Sequence, residues 1–236
     1  MTVAPSAMTS RHSSETAEHY TPKEVVQFAR YVLGDIDLDP ASSAEANDVI
    51  GATRIFTEAD NGYLKPWAAA RVFLNPPGGW CDVLGQRVIK ARTKDGVQIG
   101  GCTVTGACGL PPGHAHTGID SSQKRWWEKL AGAWYRREVL HAFFVCFSIE
   151  LLQSTQVDTP QGTPLPLAFP ICYPARRLAY WKPGGKVGSS PPHASCLVLL
   201  TNDDDNEMAT RFVDMGHAKL GAVVTPTMWP PPRRRA

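Results

Sequence analysis

No apolar run in the 236 residues approaches the roughly 20 that a helix needs to cross a bilayer. A surplus of either charge sign is also missing. The 24 Lys and Arg against 22 Asp and Glu leave a formal charge of +2, so contact with a polyanion must come from a local patch. Cysteine is sparse and scattered, at 81, 102, 108, 146, 172 and 196, with two of the six inside strand-like apolar runs. In a chain of this size that pattern argues against a disulfide framework and for a reducing, cytoplasmic compartment. The opening stretch MTVAPSAMTSRHSSETAEH has no apolar h-region and no periodicity. The expectation over 1–19 is a disordered arm and not a secretory signal. No internal repeat is visible.

What is present reads as one globular domain with many loops, given 20 Gly and 20 Pro in a chain long enough for a large core. Thr21 and Pro22 suit the cap and first position of a helix whose apolar face is Val25, Val26, Phe28, Ala29, Val32 and Leu33, ended by Gly34. Asp35 to Pro40 alternates polar and apolar residues and predicts a short strand with an acidic carboxyl end. Helices are expected over 42–50, 121–137, 149–155 and 205–215. Strands are expected over 54–56, 70–74, 140–147, 176–181, 195–201 and 220–224. The run 140–147 is continuously apolar, as in a buried parallel strand. Residues 86–120 are Gly-rich and break the pattern, so they read as an inserted loop or mini-module. Residues 228–236 form a Pro/Arg-rich tail. Strands alternating with helices over 20–227 predict an α/β domain with a mainly parallel sheet.

The segment with most chemical content is Asn75-Pro76-Pro77, directly after the apolar strand ending at Leu74. In an open α/β sheet ligands bind at the carboxyl ends of the strands. The two prolines remove two backbone donors and stiffen the turn. The Asn75 side-chain carbonyl and the Pro76 backbone carbonyl can then aim at one amino group. Read alone, the same tripeptide is equally a rigid turn with a capping Asn. Asp39 at the end of the first strand is either a ligand contact or a helix cap. Glu58 and Asp60 follow it by about 20 residues, the spacing of ribose-binding acids in dinucleotide folds, or else form a solvated turn.

Over 20–79 the chain resembles the phage DNA N-6-adenine methyltransferase (Dam) family. The resemblance rests on Tyr20-Thr21-Pro22, Leu33 to Ser42, Asn47, Phe56-Thr57, Asp60 to Leu64, Trp67 and Val72 to Pro77, in that order. Arg176-Arg177-Leu178 and Ser190-Pro191-Pro192 extend it to roughly 150 of the 236 residues. The resemblance implies a trimmed Rossmann-like fold, since only 36 residues separate Asp39 from Asn75 and a full βαβ unit takes about 30. It implies S-adenosylmethionine as methyl donor, the N6 amino group of adenine in double-stranded DNA as acceptor and, for a phage-encoded chain, the host bacterial cytoplasm. Asn75, Pro76 and Pro77 become the catalytic segment. Asp39, Pro40 and Ala41 replace a Gly-x-Gly motif as cofactor loop, Asp60 is favoured over Glu58, and Tyr20, Thr21 and Pro22 form the segment that folds over the cofactor.

One departure stands out. The family carries an aromatic residue after Asn-Pro-Pro to stack on the target base, and here that position is Gly78, with Trp80 the nearest aromatic in sequence. Two other readings therefore stay open. One is a DNA-binding protein that keeps the fold without turnover. The other is an amino methyltransferase acting on cytosine N4, RNA or a protein amide.

Two further features have candidate roles. The helix over 121–137 carries Lys124, Arg125, Lys129, Arg136 and Arg137 against Glu128 alone. Trp80, Lys124, Arg125 and Lys129 are candidate nucleic-acid contacts, although a helix that packs its Trp face and merely solvates its charges has the same composition. In the insert, Cys102, Cys108, His114 and His116 offer the two thiolates and two imidazoles of one structural zinc site, with Cys81 as a spare ligand. A loop with incidental thiols, or a His placed at a phosphate, is the alternative. If zinc holds the insert, the purified chain carries about one equivalent of metal, and Cys102→Ser with Cys108→Ser removes it while the main sheet survives. Metal analysis of protein prepared without chelators checks this, and absence of zinc would end the idea.

Overall fold

The structure is a computed structural model that describes residues 20–92, 98–102, 118–157, 159–182, 184, 186–187, 193–201 and 207–227. The expected arm over 1–19 and tail over 228–236 lie outside the described residues, as do Cys108, His114 and His116.

The first helix, α1 (Lys23–Leu33), begins one residue later than its sequence suggests. Pro22 is the cap, and its carbonyl accepts from the Val25 and Val26 N–H groups at 3.0 and 3.1 Å. Gly34, at φ 80°, ends the helix with its N–H on the Arg30 carbonyl. The chain then forms β1 (Leu38–Asp39), α2 (Ala44–Ile50), β2 (Arg54–Ile55) and β3 (Ala69–Leu74), the last running straight into Asn75. Residues 80–121, which contain the stretch 86–120 read as an inserted loop or mini-module, hold β4 (Trp80–Cys81), β5 (Arg87–Arg92), β6 (Gln98–Cys102) and β7 (Asp120–Ser121), which form a separate four-stranded antiparallel sheet in the order β6-β5-β4-β7. Helix α3 (Ser122–Tyr135), strand β8 (Val139–Cys146) and helix α4 (Glu150–Ser154) follow. Next come β9 (Ile171–Pro174), β10 (Trp181–Lys182), β11 (Lys186–Val187), β12 (Cys196–Leu200), α5 (Glu207–Met215) and β13 (Gly221–Val224).

The main sheet has seven strands in the order β13-β9-β12-β8-β3-β1-β2. From β2 to β8 all neighbours are parallel, whereas β12, β9 and β13 alternate in direction. Five strands therefore point one way, and β12 and β13 oppose them. The connection after β1 moves outward to β2, and the connection after β3 moves the other way to β8. Between β1 and β3 the order reverses, which makes their carboxyl ends the switch point where α/β sheets hold ligands. The fold is mixed α/β.

Both faces of the sheet are covered. On one side Val72, Leu74, Ala142, Phe144, Val198 and Leu200 pack against Trp126, Trp127, Leu130 and Trp134 of α3. On the other, Phe73, Phe143, Val145, Leu197 and Leu199 meet α1 and Phe212 of α5. This two-sided burial explains why β8 and β12 read as unbroken apolar runs. Among the described residues no helix is long and apolar enough to cross a membrane.

The sequence misplaced one strand. The expected strand over 176–181 is irregular except at Trp181, and β9 lies a few residues earlier, between Pro170 and Pro174.

Phe143 sits where three rings converge, edge-on to Phe28 at 5.3 Å and to Phe212 at 5.9 Å and stacked on Phe73 at 6.2 Å. Phe143→Ala is expected to cost about 3–5 kcal/mol through lost burial and an uncollapsed cavity. Urea unfolding with an unchanged m-value checks this, and a loss below about 1 kcal/mol would contradict this packing.

Candidate active site at the carboxyl edge of the sheet

Leu38 pairs with Val72 across the parallel β1–β3 ladder. Asp39 and Asn75 therefore leave neighbouring strands at the same edge. Leu38, Val72 and Leu74 belong to the α3 side of the core, and Phe73 belongs to the α1 side. Strand alternation puts Asp39 and Asn75 with Phe73, on the α1 side. The amino end of α1 lies at this edge too, so Tyr20, Thr21 and Pro22 arrive beside the loop that follows β1.

That contact is built from named bonds. The Tyr20 hydroxyl accepts from Ser43 Oγ at 3.1 Å and donates to Glu45 Oε2 at 3.3 Å. The Tyr20 backbone exchanges two hydrogen bonds with Trp181, at 2.8 and 2.9 Å, so Tyr20 straps the post-β1 loop to β10. Thr21 is buried, and its hydroxyl has no hydrogen-bond partner. The residue expected to cap α1 thus keeps a buried, unpaired hydroxyl and borders the cavity lined by Tyr20, Glu45 and Trp181.

Asp39 is 1% exposed, and its Oδ1 accepts from the Ala41 N–H at 3.1 Å. Burial pushes its carboxyl up to about 7, against the opposing pull of bonds from Ala41 and Ser42. The alternative role as helix cap is excluded, because Ser43 caps α2 by accepting from the Ala46 N–H at 3.1 Å. Pro40 is buried behind it. A Cβ at Gly62 would fall 1.9 Å from the Pro40 carbonyl oxygen, so only glycine lets the 57–62 turn close on this loop.

Asp60 stands in that turn, beyond the carboxyl end of β2. Its Oδ2 accepts from both the N–H and the hydroxyl of Thr57 at 2.8 Å, and these bonds hold the carboxyl below its usual range. Asp60 is therefore a capping-box acid on an exposed turn, with the exposed Glu58 two residues before it.

Asn75 is half-buried, Pro76 buried and Pro77 exposed. Leu74 pairs with Phe144 of β8, which brings the end of β8 alongside the Pro77-Gly78 turn. Two residues that sequence reasoning passed over act there. Gln123 donates from Nε2 to the Ser148 carbonyl at 2.9 Å and accepts from the Ser148 N–H at 3.2 Å, fixing the chain just after β8. Gln123 lies three and four residues before Trp126 and Trp127 on the buried stripe of α3, and that polar residue in an apolar period was the available signal.

The candidate nucleic-acid contacts mostly have other partners. Lys124 is buried and ion-paired with Asp120 at 3.3 Å. Lys129 donates to the Tyr63 and Lys65 carbonyls and lies 4.5 Å over the Trp67 ring; burial lowers its ammonium to about 8. Arg125 donates to the Gly118 carbonyl. In this structure these three basic side chains make contacts within the domain. Trp80 remains 38% exposed, at the start of the small sheet. Cys102 ends β6, and its three companion ligand candidates lie outside the described residues. Cys81 is buried, with its thiol pushed up to about 11 by desolvation. Among the described residues no three metal-ligating side chains cluster.

The raised Asp39 value has a stability consequence. Between about 3.8, the ordinary value, and about 7, the folded chain holds a proton that the unfolded chain has released. Stability therefore falls as pH rises through that window and levels off above it. Asp39→Asn is expected to flatten this slope and to stabilise the protein most at neutral pH. Urea unfolding of both proteins at about pH 4 and about pH 8 checks this; parallel slopes would show an Asp39 carboxyl that titrates normally.

Comparison with protein-family models, with curated proteins and with solved structures finds no match to this chain.

Proposed function

We propose that this chain is a trimmed Rossmann-like methyltransferase that moves a methyl group from S-adenosylmethionine to the N6 amino group of adenine in double-stranded DNA. One observation carries the reading: Asp39 and Asn75-Pro76-Pro77 leave adjacent parallel strands at the switch point of the sheet and on the same face. The resemblance of 20–79 to the phage adenine methyltransferases supplies the chemical identity of donor and acceptor.

The residues fit such a donor. An unpartnered buried hydroxyl on Thr21 and a buried carboxyl on Asp39 are the polar groups that a ligand rich in hydroxyl and ammonium groups would satisfy. Tyr20 bonds Ser43 of the loop that carries Pro40 and Ala41, so these residues are assigned to the same cofactor segment. S-adenosylmethionine, when bound, supplies an already activated methyl electrophile, so the chain must add placement and charge stabilisation. The Asn75 side-chain carbonyl and the Pro76 carbonyl accept hydrogen bonds from the adenine amino group. Those bonds raise the lone-pair density on the nitrogen. They also stabilise the positive charge that develops there as the N–C bond forms. A neutral amide does this without taking up the proton itself, and the proton leaves to water. Pro76 and Pro77 stiffen the backbone that carries the Asn75 side chain and the Pro76 carbonyl, because their rings lock φ and restrict the residue before each. The target base must leave the helical stack to reach this edge, at a cost of a few kcal/mol.

The direct test is nucleoside mass spectrometry of DNA from cells expressing the chain. N6-methyladenine is expected, N4-methylcytosine would redirect the acceptor, and neither would remove the enzymatic reading. Asn75→Ala is expected to keep the fold and S-adenosylmethionine affinity and to lower turnover by on the order of 10²-fold or more. Near-normal turnover would take Asn75 out of the mechanism.

A further inference from the structure

Resting on the methyltransferase reading, we infer that Phe147 is the platform on which the extruded base stacks, in place of an aromatic side chain in the Asn75-Pro76-Pro77 segment itself. The inference starts from Gly78. Two other glycines near this edge have evident reasons to be glycine, and Gly78 shares neither. Gly62 is forced by crowding against Pro40, and Gly79 adopts φ +86°. Gly78 does not have a positive φ. A Cβ there would meet nothing nearer than 4.0 Å, and the atom it meets is Phe147 Cζ. Backbone demands thus leave the missing side chain unexplained, whereas its effect is plain: it keeps the Phe147 ring uncovered beside the Asn-Pro-Pro turn.

Phe147 suits the part. Ala142 to Cys146 are all 0% exposed, and Phe147 is the first half-buried residue after them. It packs against the α1 side of the core, the side on which Asp39 and Asn75 emerge. Phe147 is therefore partly packed into the core and partly exposed. The backbone around it is held firmly: the Phe147 carbonyl accepts from Ser195 Oγ at 3.4 Å, and Ser148 is clamped by Gln123. A fixed aromatic face beside an amino-group acceptor pair is the geometry for holding a planar base by stacking while its amino group is read by hydrogen bonds. Trp80 is the competing aromatic, but it lies in β4, hydrogen-bonded between β5 and β7 of the small sheet.

The test uses the full chain with S-adenosylmethionine and plasmid DNA free of N6-methyladenine. Phe147→Ala and Phe147→Leu are expected to raise the KM for DNA by roughly ten- to a hundred-fold, the range for removing one aromatic platform from beneath a base, with S-adenosylmethionine affinity unchanged by calorimetry. Phe147→Tyr should retain most of the wild-type KM, and adding Gly78→Phe to Phe147→Ala should recover it, because a Cβ at position 78 meets no atom nearer than 4.0 Å and the one it meets belongs to the Phe147 ring. A Phe147→Leu protein with the wild-type KM would overturn the inference, as would the same loss from Trp80→Ala instead. A parallel readout needs no turnover: fluorescence of an oligonucleotide carrying 2-aminopurine for adenine. Quenching by the wild type that Phe147→Leu loses supports stacking; equal quenching, or none, refutes it. Failure of methyl transfer by the wild type, with this quenching intact, would count against the proposed reaction and leave the platform standing.

Discussion

The site depends on a two-residue strand being held in register. β1 contains only Leu38 and Asp39, too little ladder to locate itself. Its register is set one step earlier, where Arg71 of β3 grips Asp37. The Arg71 Nη2 reaches Asp37 Oδ1 at 2.8 Å, while Nε and the backbone N–H both donate to Oδ2, at 3.2 and 2.8 Å. The Asp37 N–H returns a bond to the Arg71 carbonyl at 2.9 Å. The guanidinium bonds hold the Asp37 carboxyl below its ordinary range. Each bond is modest at this exposure, but together they fix an angle as well as a distance. A slip of one residue would turn Asp39 to the α3 face and away from Asn75.

The same positioning creates a cost that the core must offset. A carboxyl 1% exposed that accepts from the Ala41 N–H, and a buried Thr21 hydroxyl with no partner, are unfavourable in the folded chain. The compensation lies in the two aromatic layers, which are apolar and close-packed on either side of the sheet. A ligand that satisfies both groups removes the penalty, so stability and binding are linked at this edge.

The sequence disclosed elements whose periodicity was set by burial. The apolar face of α1, the Trp stripe of α3 and the run in β8 were all legible because packing demands them. Asn75-Pro76-Pro77 was legible because its chemistry is local. What stayed hidden depended on partners distant in sequence. β9 is short and bracketed by Pro170 and Pro174, and only pairing with β12 and β13 makes it a strand. The β5–β6 hairpin reads as Gly-rich loop because its support comes from β4. The charge count of α3 overstated its solvent face, since Lys129 crosses to carbonyls 64 and 66 residues away. The part inferred for Phe147 was hidden for the same reason, because it turns on the missing side chain of Gly78 in the turn after β3.

The antiparallel half of the sheet, which the alternation of strands and helices did not foretell, explains how the cleft is closed. Because β12 runs against β8, with Cys196 opposite Cys146, its first residues stand at the carboxyl edge and not at the far end. Ser195 is thereby placed to hold the Phe147 carbonyl, and it also meets the Tyr180 hydroxyl at 3.3 Å. Tyr180 precedes Trp181, which bridges to Tyr20, which in turn bonds Ser43 beyond Asp39. The irregular segment after β9 therefore connects the β8 end of the cleft to the β1 end. A parallel strand in the place of β12 would begin at the opposite edge and leave that connection unmade. Reversal of β12 is what lets Ser195 and the segment after β9 tie the end of β8 to Tyr20 and the loop after β1.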